Sequence, residues 1–99
     1  MSNRIHINAI AYREGDAWIA QGIEYDIVAF ANDVLKLPNA FSRAVLENIC
    51  ITEHLGRQPL EGVKPAPSRF QVMFDAAEVE FRETKPRDLD AEIAVRVSA

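Results

Sequence analysis

Between Ala17 and Ala31 the chain reads AWIAQGIEYDIVAFA, an extended apolar run with a glycine near its middle. Its aromatic and β-branched residues suit strands. Gly22 marks an end or a bulge, since an isolated glycine inside a strand pattern signals a bend. Trp18, Ile19 and Ala20 form one strand before it. Asp26 to Ala31 then places Ile27, Val28, Ala29 and Phe30 at successive positions. That pattern predicts a strand covered on both faces, or a central strand. One long bent strand over the whole run is the competing reading.

The segments on either side complete a fold class. From Arg4 to Arg13, Ile5, Ile7, Ala9 and Ala11 alternate with His6, Asn8, Ile10 and Tyr12, a strand with one clearly apolar face. Glu14-Gly15-Asp16 then reads as a hairpin link. After Asn32-Asp33, Pro38 suits the first turn of a helix that ends at Leu55, with Gly56 as its stop. Phe41, Ala44, Val45, Ile49 and Leu55 form its apolar stripe, while Leu46 and Cys50 lie nearly opposite and need a second cover. Arg57 to Pro67, rich in proline, predicts a surface loop. Ser68 and Gln71 have capping-box spacing, opening a second helix that runs to Glu83 and ends at Lys85-Pro86. Phe70, Met73, Phe74, Ala77 and Phe81 line one side of it, Val72 and Val79 the other. Ala91 to Val97 alternates as a half-buried strand, at a sheet edge or exchanged with a neighbour. The expected fold is α+β: an antiparallel sheet of three to four strands packed on one long and one second helix, in the order β-β-β-α-α-β, as a single domain over residues 1–99.

Composition narrows the function classes. The formal charge of −4 argues against broad nucleic-acid binding, which needs a basic face. Cys50 is the only cysteine, so no intrachain disulfide forms and nothing calls for an oxidising compartment. The N-terminus MSNRIHINAI lacks the apolar core of a signal peptide, and no run approaches the ~20 apolar residues of a membrane helix. These features predict a cytoplasmic protein without a membrane partner.

Chemistry-bearing residues are sparse. Glu47, Cys50 and His54 fall near one face of the first helix, and all three residue types ligate zinc. No second ligand pair accompanies them, so they read instead as a small cysteine beside a solvent-facing histidine and glutamate. A Cys50–His54 nucleophilic pair would need the base within reach of the sulfur, and consecutive turns point side chains in parallel. His6 stands alone on its strand. Asp75, Glu78, Glu80 and Glu83 read as a solvated helix face. No phosphate loop, nucleophile elbow or HExxH motif is present. Nothing implies a cofactor or a catalytic residue. Contact with a partner is expected at Trp18 and at the bend carrying Glu24, Tyr25 and Asp26. On the helices, Leu46, Cys50, Val72 and Val79 are the corresponding candidates.

The segments WIAQGIEYDIVAFA and AVLENI, within Ile7 to Leu55, resemble the N-terminal domain of HicB-like antitoxins and their orphan relatives. In that family a strand hairpin leads through a bend to a third strand and then a helix. Ile23 to Ile27 stands where the family has a proline-glycine bend, and Asn32 to Leu37 reads as an insertion. The resemblance implies a truncated ribonuclease-H-like fold, here in an orphan without a DNA-binding module; the two-sided apolar character of both helices and the lack of a catalytic constellation point to a non-enzymatic, homo-oligomeric interaction domain of this type. The resemblance also implies an alternative role, neutralising a small mRNA-cleaving toxin. A small enzyme or metal protein using Cys50 and His54 is the third reading.

Overall fold

Alternating apolar residues make Ile5–Glu14 a ten-residue strand, β1, that serves both faces of a sheet. The structure is a computed structural model that describes residues 5–83 and 91–98. The Gly15-Asp16 turn, with Gly15 at φ +62°, returns the chain into β2 (Ala17–Gly22). This turn opens an antiparallel ladder from Glu14↔Ala17 to Ala9↔Gly22. β2 in turn pairs antiparallel with β3 (Val28–Ala31), so the run that opened the analysis is two strands and a bend.

The expected sheet is corrected in four respects. It has five strands, in the order β3-β2-β1-β5-β4, and it is mixed rather than antiparallel. β5 (Ala91–Val97) lies parallel to β1 from Ile5↔Ala91 to Ala11↔Val97, as an interior strand rather than an edge or exchanged one. β3, expected at the centre, is an edge. The fifth strand comes from residues assigned above to the second helix. That helix, α2, covers only Ser68–Ala76, and Val79–Glu83 forms β4, antiparallel to β5. Ala77 turns extended (ψ 140°) and ends the helix. Phe81 fits helical spacing from Phe74, but Val79 and Phe81 also fit a period of two, and pairing with Val97 and Val95 decides for the strand. The expected capping box is absent: the N-cap is Pro67 and no side chain caps the helix. The Lys85-Pro86 stop lies outside the described residues.

The first helix, α1, spans Leu37–His54 with Pro38 in its first turn. A short 3-10 turn, Val34–Lys36, precedes it, and the Asp33 carboxylate accepts from the Leu35 N–H. At its C-terminus Gly56 (φ +76°) donates to the Glu53 carbonyl, and Arg57 N–H to that of Thr52. These two bonds form a Schellman cap, which satisfies carbonyls the helix leaves open.

Helices cover both faces of the sheet. Leu37, Phe41, Val45 and Ile49 of α1 pack on Ile7, Ala9, Ala11, Ala20, Ala29, Ile93 and Val95. Phe70 and Phe74 of α2 pack on Ile10 and Ile23 from the other side. A large apolar side chain fully buried in this way contributes about 1.5–3 kcal/mol. Arg96 of β5 locks α2 down: its guanidinium stacks 4.2 Å from the Phe74 ring and donates to the Phe74 carbonyl at 3.0 Å. The loop after α1 is anchored rather than merely superficial. Leu60 is buried in the main core at φ +64°, and its N–H donates to the buried Thr52 hydroxyl at 3.0 Å.

Gly22 is required by close approach. A Cβ there would meet the Tyr25 carbonyl oxygen and lie 3.2 Å from the Phe41 ring. Gly22→Ala is therefore expected to cost about 1–3 kcal/mol of unfolding free energy, as over-packing does. Urea denaturation measures it, and an unchanged midpoint would contradict this packing.

Candidate functional site

The bend between β2 and β3 is stitched down from three sides. Ile23 N–H donates to the Asn8 carbonyl, Ala66 N–H to the Ile23 carbonyl, and Asp26 N–H to that of Lys64. Both Glu24 carboxylate oxygens accept from Asn8, one from its backbone N–H at 2.7 Å and one from its side-chain amide at 2.6 Å. Asp26 accepts from the buried Gln21 amide at 2.7 Å. Tyr25 is half-buried against the main core. Glu24 and Asp26 thus satisfy groups of this chain, and their polar atoms hold the bend. Gly22 signalled the bend in the sequence, but nothing there named Asn8 as the partner of Glu24.

The helix candidates differ in exposure. Leu46 is half-buried, Cys50 and His54 are exposed, and Glu47 lies on the outer surface of α1 beside β3. Among the described residues no three His, Cys, Asp or Glu side chains are grouped to hold a metal ion. Val72 is exposed on α2, whereas Val79, expected on the same helix, is on β4. Trp18 is half-buried against the α1-side core.

What sequence reading missed is the outer margin of β3. Ala29 faces α1 and is buried, so its neighbours Val28 and Phe30 point to the opposite face. Phe30 is 65% exposed and Val28 39%; Leu35, just beyond the strand, is 71% exposed. A shallow groove of about 610 Å³ follows this edge, bounded by Phe30, Asn32, Leu35, Lys36, Asn39 and Arg43. It continues along α1 past Ala44 to Glu47. In the other direction a third depression reaches Glu14 and Asp16 of the first hairpin. An exposed aromatic on an edge strand beside a groove suits binding of another polypeptide.

No protein-family model matches the chain, and neither a curated protein nor a solved structure matches it. Among the described residues no helix is long and apolar enough to cross a membrane.

If the Glu24 carboxylate serves the bend, Glu24→Ala leaves the Asn8 N–H and amide without their acceptors. The expected loss is about 1–3 kcal/mol of stability, the cost of unsatisfied donors. Chemical denaturation of the variant tests this, and wild-type stability would assign Glu24 to a partner instead.

Proposed function

We propose that this chain is a non-enzymatic, homo-oligomeric protein-interaction domain of the HicB-like type. The observation that carries this reading is the apolar, open margin formed by Val28, Phe30 and Leu35. Isolated apolar residues on a surface need no explanation, but a continuous strand edge with an exposed phenylalanine favours a partner strand. The order hairpin, bend, third strand, helix also agrees with the resemblance carried by WIAQGIEYDIVAFA and AVLENI. The carboxylates of the bend are engaged within the chain, Glu24 with Asn8 and Asp26 with Gln21, and leave the strand edge as the open surface.

The reading is tested by the mass of the purified chain in solution. Size-exclusion chromatography with light scattering at micromolar concentration is expected to give a multiple of the 11.1 kDa chain mass. A clean monomer at that concentration would sink the self-association.

A further inference from the structure

Among the described residues the sheet ends in two edge strands, β3 and β4, that differ in chemistry. β4 reads Val-Glu-Phe-Arg-Glu, and charges of this kind keep an edge strand from pairing with another chain. β3 reads Val-Ala-Phe-Ala, with neither charge nor proline. The direction of its backbone groups follows from the ladder. Gly22 N–H donates to the Ile27 carbonyl at 2.7 Å, which makes Gly22–Ile27 a hydrogen-bonded pair. Such pairs alternate along an antiparallel ladder, so Ala20–Ala29 and Trp18–Ala31 bond in the same way. The N–H and C=O groups of Val28 and Phe30 therefore point away from the sheet.

We infer that β3 pairs antiparallel with β3 of a second copy of this chain, about a two-fold axis at Ala29, fusing the two sheets into one. The inference rests on the self-associating reading above and names its surface. In this register Val28 lies opposite the partner's Phe30, and each such pair uses the outward N–H and C=O groups of both residues. The Phe30 and Val28 side chains meet on the face away from α1, an aromatic and β-branched pairing that stabilises sheets. The small Ala29 meets its own counterpart on the α1 side.

The helices supply an independent match. A two-fold axis perpendicular to the sheet keeps α1 and the partner's α1 on one face and runs them antiparallel. The side of α1 turned toward the open edge carries Ala40, Arg43, Ala44 and Glu47. Ala40 and Ala44 let two helices approach closely, with Arg43 and Glu47 flanking Ala44. Antiparallel apposition sets Arg43 against the partner's Glu47, and Glu47 against the partner's Arg43. Ala29 borders the same groove as Ala44 and Glu47, so strand register and helix charges share one axis. This reciprocity is what favours a second copy over an unrelated extended peptide.

Native mass spectrometry with analytical ultracentrifugation tests the pairing, with circular dichroism as the control for folding. The wild-type chain is expected to be dimeric at micromolar concentration. Phe30→Lys, at an exposed position, should keep the fold and weaken the dimer at least about tenfold. Arg43→Glu and Glu47→Arg should each weaken it to a similar degree, because each sets like charges against each other. Mixing these two single variants should recover a heterodimer, since every cross-helix contact then joins opposite charges. A wild-type oligomer that tolerates Phe30→Lys, or single reversals that mixing does not rescue, would overturn the β3 pairing and leave the interaction-domain reading standing. A wild-type monomer would overturn both.

Discussion

β1 is squeezed between two helices: Ile7, Ala9 and Ala11 press on α1, while Ile10 of the same strand fits against Phe70 and Phe74 of α2. Its edges are equally occupied, by β2 on one side and β5 on the other. A strand saturated in all four directions has no room for a reacting group, and it fixes where everything else goes. The bend at Ile23 hangs from the Asn8 carbonyl, the Glu24 carboxylate from the Asn8 N–H, and α2 from Arg96 on the neighbouring strand. Exposed apolar surface is thereby left at the margin, on β3 and the segment just beyond it.

The long helix, the hairpin and the strand periodicities were legible in the sequence because each is set by nearest neighbours: Pro38 and Gly56 bracket α1, and Gly15 makes the turn. The errors share a different cause. Phe81 satisfies both helical and strand spacing, and only its pairing with Val95, distant in the chain, decides between them. β5 reads as half-buried whether it is an edge or an interior strand, because Glu92 and Arg96 keep its alternation. Glu92 lies 3.3 Å from His6 and Arg96 engages Glu80 and Phe74, so charges that suggest solvent are satisfied across strands. Leu60 carried no signal at all: nothing local announces that a leucine in a proline-rich loop adopts a positive φ and enters the core.

The most instructive mismatch concerns β3. Its unbroken apolar residues read as a strand with neighbours on every side, yet among the described residues no strand pairs with its outer side. Sequence pattern reports the environment in which a strand functions, and a single chain need not contain all of that environment. Two faults otherwise independent, an uncharged edge and an overexposed phenylalanine, become one feature when a further strand lies beside it. The candidate site was thus present in the sequence as composition, but its location at an edge needed the topology.

The parallel pairing of β1 with β5 also sets an order of assembly. Ile5 meets Ala91, so the inner ladder of the sheet joins residues from opposite ends of the described chain. Contacts of such long sequence separation slow folding, because the entropy of loop closure is lost before they are gained. During synthesis β1, β2, β3 and α1 emerge first, and β1 then has a second exposed edge until β5 leaves the ribosome. For that interval the nascent chain carries two apolar edges, at β1 and at β3, and among the described strands β5 closes the one at β1.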